Sequence, residues 1–221
     1  MPRTIAILGG TGAEGFGLAL RFAHAGARVL IGSRDPRKAQ DAASRIHPDV
    51  IGLLNSDAAA QADIAILTVP IQAQIGTLKS VRASLKPGTV LVDATVPLEV
   101  AIGGRLSHPL TLWAGSAAEQ AARHVPEAVA VVSAFHSISA ELLGRLDQRV
   151  DSDVLICGDS ADAKAAVAEL VALIPGARAV DAGPLENARL IENVAALVIS
   201  LNLRHKSKHG GIRITGLAPA S

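Results

Sequence analysis

Runs rich in apolar, β-branched residues alternate along this chain with stretches of helical periodicity. "TIAILG" (4–9), "ARVLIGS" (27–33), "DVIGLL" (49–54), "DIAILTVP" (63–70), "TVLVDAT" (89–95) and "AVAVVSAF" (128–135) read as strands. Between them the pattern predicts helices over 17–26, ending at Gly26, and over 36–46, capped by Asp35 with Pro36 at its first position. Further helices are expected over 71–85, stopped by "KPG", and over 117–124. Residues 96–115 read as irregular, or as a hairpin around Gly103 and Gly104. Strands without polar alternation, separated by helices, are buried on both faces. The prediction is therefore an α/β fold, a Rossmann-type doubly wound parallel sheet.

Beyond residue 150 the pattern weakens. "DVLICGD" and "ARAVDAG" flank the helical "SADAKAAVAELVALI", and a long helix follows from Pro184 to about Leu203. The expected organisation is a dinucleotide-binding domain over 1–150 and a small C-terminal α/β lobe over 151–221 that closes the cleft.

Composition adds mainly exclusions. A hydrophobic fraction of 49% with 19% charged residues supports a filled core. A net charge of +1 argues against a dedicated nucleic-acid or membrane-surface protein. Cys157 is the sole cysteine, which leaves no intramolecular disulfide or cysteine metal cluster. The start, "MPRTIAILGG", lacks the layout of a signal peptide, and the apolar "NVAALVISLNL" is too short to span a bilayer. A cytoplasmic setting is the expectation. The chain contains no tyrosine.

"GGTGAEGFG" contains Gly10-x-Gly12-x-x-Gly15, directly after a strand and before a helix. In such a turn Gly10 permits the bend, Gly12 lets the backbone approach a pyrophosphate, and Gly15 permits close helix–strand packing. The anion then sits on the N–H groups of the helix start. At the end of the second strand, beside the adenosine ribose, a carboxylate would accept from the free hydroxyl of NAD. Here Ser33 and Arg34 stand there, with Arg37 and Lys38 one turn on. Donors and positive charge at that place predict NADP. Asp35 is read as the cap of the next helix.

The remaining catalytic inventory is thin. Without tyrosine there is no short-chain-dehydrogenase acid, and neither a P-loop nor a Gly-x-Ser-x-Gly elbow occurs. His205 and His209 have metal-ligand spacing, but they lie in a basic run beside a glycine pair and read as a solvated helix cap. Glu186 and Glu192 are six apart and fall on different helix faces. His136 starts "HSISAELL" at the end of a predicted strand, on the edge where open α/β sheets bind ligands. Thr68, Val69 and Pro70 end another strand on that edge and could wall a nicotinamide. A redox protein without a proton donor suits hydride transfer between two stacked rings, in which the protein supplies proximity and orientation.

"ILGGTGAEGFGLAL", "VLIGSRDPRKA", "VDATVPL", "SAFHSISAELL" and "GPLENARLIENVAAL" together resemble the NADPH-dependent reductases of coenzyme F-420, an 8-hydroxy-5-deazaflavin, over about residues 4–217. The resemblance implies hydride exchange between NADP(H) and C5 of the deazaflavin, with both rings between the two lobes. It implies that Thr11, Gly12, Ala13 and Glu14 face the pyrophosphate, that Ser33, Arg34 and Lys38 hold the 2′-phosphate, and that His136 and Ile138 lie near the rings. One departure stands out: Ala195 occupies a position where the family leads one to expect threonine on the wall facing the deazaflavin. Two other readings remain open. One is an NADPH-dependent reductase of a flavin, an imine or a ferric or cupric chelate; the other is a non-enzymatic NADP sensor. The long apolar final helix suggests a homodimer.

Overall fold

The computed structural model describes residues 3–217. Its strands are β1 (Thr4–Leu8), β2 (Arg28–Ser33), β3 (Ile51–Leu54), β4 (Ile64–Leu67), β5 (Val90–Asp93), β6 (Ala130–Ser133), β7 (Ser152–Gly158) and β8 (Ala177–Asp181). Its helices are α1 (Ala13–His24), α2 (Pro36–Ile46), α3 (Asn55–Ala59), α4 (Ile71–Val81), α5 (Ala117–Ala122), α6 (Ala140–Leu143), α7 (Ala161–Ala172) and α8 (Ala188–Arg204). All eight strands form one sheet in the order β3-β2-β1-β4-β5-β6-β7-β8. The first six are mutually parallel, which is the doubly wound arrangement the pattern predicts.

Strand pleating divides the core in two. Ile5, Ile7, Val29, Ile31, Ile64 and Ile66 join one apolar cluster with Leu18, Phe22 and Val167 from the helices. The alternate residues Ala6, Leu8, Leu30, Ala65 and Leu67 join the other with Leu78, Ala118 and Ala121. Successive side chains point to opposite faces, so a strand apolar at every position needs helices on both sides. Phe22 is fully buried and meets Phe135 edge to face at 6.3 Å.

Several boundaries differ from the sequence reading. Helix α1 begins at Ala13, four residues earlier than its periodicity suggests. Its two interior glycines, Gly15 and Gly17, are poor helix formers, and tight packing outweighs that preference. Helix α3 has only five residues, too few for a periodic signal. Residues 96–115 hold a 3-10 turn over Glu99–Ile102 and an isolated bridge between Leu98 and Pro109. A further 3-10 turn, Leu185–Asn187, precedes α8.

Strands β7 and β8 do not leave the sheet. β7 runs antiparallel to β6 through the pairs Val132–Gly158 and Ser133–Cys157, and β8 is parallel to β7. Residue 150 therefore marks the point where strand direction reverses. After α8 the chain returns to this edge and docks on Asp153. The buried Asp153 carboxylate accepts from Arg178 Nε (2.8 Å) and Nη2 (2.7 Å), Arg213 Nη1 (2.9 Å) and the Ile214 N–H (2.6 Å). Charge-assisted bonds of this kind hold the carboxyl below its ordinary pKa and compensate its burial.

Candidate functional site

The C-terminal ends of β1, β2 and β4 surround a cavity of about 380 Å³ at the point where the strand order reverses. Its walls include Thr11 and Gly12 of the glycine turn, Ser33, Arg34, Asp35 and Lys38 beyond β2, and Thr68, Val69 and Pro70 beyond β4. Asn55, Ala73 and Thr77 complete it. A larger cleft of about 750 Å³ opens at the opposite edge of the sheet, among Thr4, Ile64, Val90 and Ala130. The helix that starts there, α7, has its Ala163 N–H capped by Ser160, and the Gly9–Gly15 turn lies at the other edge. The smaller cavity is the better candidate.

The glycines of the turn play distinct parts. Gly9, not Gly10, makes the tight bend: its φ is +78°, and an added Cβ would lie 2.4 Å from Val69 Cγ1. Gly10 is required by contact, since a Cβ there would stand 2.9 Å from the Ile7 carbonyl oxygen. At Gly15 it would meet Thr68 Oγ1 at 2.5 Å and Gly10 Cα at 2.8 Å, which is the close helix–strand packing expected of that position. Gly12 is different. A Cβ on it would find only the Gly9 carbonyl oxygen at 3.8 Å, so nothing in the protein demands glycine there.

The start of α1 is also left uncapped. Asp35, Ser116, Ser139 and Ser160 accept backbone N–H groups at the starts of α2, α5, α6 and α7, whereas α1, like α3, α4 and α8, has no side-chain cap, and of these only α1 follows the glycine turn. Its first N–H donors, on Ala13, Glu14 and Gly15, remain for an anion and are favoured by the helix dipole. The nearby acid does not oppose this. The Glu14 carboxyl turns inward, and Oε1 is buried without a partner. Burial, and secondarily the charge of Asp93, pushes Glu14 up to about 8, so it is neutral at pH 7.

Beyond β2, Ser33 is buried and its Oγ accepts from the Asp35 N–H at 3.2 Å. Asp35 in turn accepts from Arg37 N–H at 2.9 Å and caps α2. That leaves the exposed Arg34 and Lys38 as the free charges at this mouth of the cavity. Asn55, absent from the sequence reading, accepts the Gly9 N–H at 3.2 Å and so ties α3 to the glycine turn. No local pattern marks it.

His136, Ile138 and Ala195 are buried and do not line this cavity. His136 follows Phe135, whose φ of +73° is a strained conformation for a bulky residue. Such strain, of order 1–3 kcal/mol, persists where the surroundings enforce it, often beside a ligand site. Both ring nitrogens of His136 are buried without partners, and burial lowers its pKa to about 4. The imidazole is neutral at pH 7.

Beneath this edge lies a carboxyl network that sequence spacing does not reveal. Asp93, at the end of β5, accepts from the Thr95 N–H (2.7 Å) and from Gln74, which also donates to the Ala117 carbonyl. Burial raises Asp93 to about 6 against the lowering effect of these bonds. Glu192 accepts the Ala117 N–H at 2.9 Å and the Ala118 N–H at 3.2 Å, yet burial still pushes it up to about 8. Glu192 therefore joins α8 to α5, while Glu186 stays outside the network. His205 caps α8, and His209 lies 3.3 Å from Glu141.

The chain is 48% identical to the F420-dependent NADP reductase of Methanothermobacter thermautotrophicus, covering 98% of this chain and 97% of that one. The chain belongs to the F420-dependent NADP reductase family. Residues 4–97 match the family model described as "NADP oxidoreductase coenzyme F420-dependent". The corresponding protein of Methanocaldococcus jannaschii is 44% identical, covering 96% of this chain and 98% of that one. A solved structure of a candidate F420-dependent NADP reductase from Arthrobacter sp. FB24 superposes with a TM-score of 0.82 at 27% identity, covering 96% and 99%. The matched 4–97 segment spans the glycine turn, the basic end of β2 and the Thr68–Pro70 wall. No helix among the described residues is long and apolar enough to cross a membrane.

Proposed function

We propose that this protein is an NADP-dependent oxidoreductase that exchanges a hydride between NADP(H) and the deazaflavin coenzyme F-420. One observation carries the reading. The uncapped start of α1, the sterically free Gly12 and the charges of Arg34 and Lys38, which have no ion-pair partner among the described residues, all border one cavity at the switch point of the sheet.

When both are bound, the dinucleotide and the deazaflavin exchange the hydride directly between their rings. The protein's own part is placement. Thr11, Gly12, Ala13 and Glu14 face the pyrophosphate, which the free N–H groups at the start of α1 hold, while Gly10 and Gly15 shape the turn behind them. Ser33, Arg34 and Lys38 hold the 2′-phosphate. Thr68, Val69 and Pro70 wall the nicotinamide, and His136, Ile138 and Ala195 belong to the side on which the second ring stacks. With His136 neutral and Glu14 turned inward, no side chain acts as acid or base at the transferring carbon; proximity and exclusion of water supply the rate. Leu190, Leu197 and Leu201 form an exposed apolar stripe on α8, which supports a homodimer. A cytoplasmic setting, without nucleic acid or membrane partners, completes the reading.

Absorbance tests it: purified protein with NADPH is expected to bleach oxidised coenzyme F-420 and to leave FMN in a parallel cuvette unchanged. Bleaching of FMN alone moves the function to a flavin reductase, and tight NADP binding without any turnover leaves a sensor. A second test addresses the cleft. Gly12→Ala is expected to keep its thermal midpoint, because the added methyl meets no protein atom closer than 3.8 Å. The same methyl stands where the ligand must pass, so the KM for NADPH should rise about tenfold or more. An unchanged KM places the pyrophosphate elsewhere.

A further inference from the structure

We infer that the basic segment after α8 forms a second anion subsite, which takes the phosphate- or carboxylate-bearing side chain of the deazaflavin acceptor. The inference rests on the function proposed above, and its starting point is the distribution of charge. Glu192 is the last acidic residue of the chain. Residues 193–221 carry Arg204, Lys206, Lys208 and Arg213 with two histidines and no carboxylate side chain, in a protein whose net charge is only +1. Positive charge is thus gathered in one short stretch.

The fold lays that stretch along the ligand edge of the sheet. Ser139 Oγ donates to the Lys208 carbonyl at 2.7 Å. A methyl added at Gly211 would lie 2.6 Å from Ser152 Oγ and 3.8 Å from the Ser137 carbonyl oxygen. The segment therefore runs over residues 137–139, immediately beyond His136. It lies at β6 and β7, four and five strand spacings from β2 in the sheet order. At about 4.8 Å each, that is roughly 19–24 Å from Ser33 and Arg34, too far to share the 2′-phosphate. Two anion subsites would then flank the space for the rings.

Not every cation here is free. Arg213 is spent on Asp151 and Asp153. Lys208 (3.8 Å), His209 (3.3 Å) and Arg145 all lean on the single carboxylate of Glu141. Arg204 and Lys206 are exposed and have no carboxylate partner among the described residues.

Lys206 carries the argument furthest. Its φ is +52°, at the left-handed position that ends a helix and that glycine adopts without steric cost. The turn does not need the lysine side chain, since Asn202 fixes it on both sides: its carbonyl accepts the Ser207 N–H at 2.9 Å, and its Oδ1 accepts the Gly210 N–H at 3.0 Å. The lysine side chain is thus left free to act through its charge.

The test compares coenzyme F-420 with 8-hydroxy-5-deazariboflavin, the same ring without the anionic side chain, each at saturating NADPH. Lys206→Gly should leave the thermal midpoint unchanged or higher and raise the KM for coenzyme F-420 roughly three- to fivefold. Adding Arg204→Gln should bring the rise to about tenfold. In both variants kcat should hold, and the KM for the truncated ring should not move. Added salt should weaken coenzyme F-420 binding in the parent protein and much less in the double variant. An unchanged KM for coenzyme F-420, or an equal rise for both acceptors, overturns the subsite while leaving the function standing. If the parent protein turns over neither acceptor, the function itself fails and the subsite with it.

Discussion

Arg21→Met is expected to destabilise the protein by about 2–4 kcal/mol, because it strips four buried or part-buried carbonyls of their donor. Arg21 lies inside α1 and is only 2% exposed. Its Nε donates to the Leu143 carbonyl at 3.0 Å, and Nη2 reaches the carbonyls of Leu142 (2.6 Å), Gln148 (2.8 Å) and Arg145. These are the carbonyls that end α6 and the turn after it, where no further helix satisfies them. Methionine fills a comparable volume without offering a donor, so the loss reports hydrogen bonding rather than a cavity. For a chain of this length the midpoint of thermal unfolding should fall by roughly 5–12 °C, and Arg21→Lys should recover only part of it, having no planar fork. The effect should reach function as well. α6 packs on α1 so closely that a Cβ at Gly17 would sit 2.6 Å from Leu143 Cβ, and α6 follows directly on the His136–Ser139 segment. Releasing α6 should loosen that segment and lower turnover even at temperatures where the fold survives. A thermal midpoint within 2 °C of the parent would show that water replaces the guanidinium without cost.

Arg34→Ala should raise the KM for NADPH far more than that for NADH. Arg34 is exposed at the mouth of the cavity, Asp35 beside it is occupied in capping α2, and Ser33 is held by the Asp35 N–H. The positive charge facing the 2′-phosphate position is thus Arg34 with Lys38 behind it. A charge-assisted contact to phosphate contributes about 1.5–3 kcal/mol, so the preference for NADPH over NADH should drop by roughly 10- to 150-fold. Lys38→Ala should give a smaller drop of the same sign, since a lysine makes a point contact where arginine makes a fork. The measurement is the ratio of kcat/KM for the two dinucleotides. If that ratio survives Arg34→Ala, the 2′-phosphate is held elsewhere.

Much of this was legible in the chain. The central strands β1 and β4 are apolar at nearly every position because both their faces are covered, and that pattern is written in four or five consecutive residues. The glycine turn and the basic end of β2 are equally local: turn geometry and charge at a strand end depend on neighbours within a few positions. Even Asp35 could be assigned as a cap from Pro36 behind it, as the structure bears out. The parts that could not be read are those whose partners lie far along the chain. Gly9 rather than Gly10 makes the bend because Val69, sixty residues on, crowds it. Asn55 is marked as part of the site only by its bond to the Gly9 N–H.

The strands and the doubly wound sheet, the dinucleotide turn, the preference for a phosphorylated ribose and the resemblance to its family each rest on a short-range period or on a motif within one segment, and so are written locally in the chain. That Glu192 caps α5, that Arg21 holds α6, that β7 continues the sheet in the opposite direction, and that the basic tail lies against Ser139 follows only from folding. Those pairings answer to a different constraint. A polar group taken out of water must find a partner wherever packing has brought one, and no periodicity in the sequence records where that is.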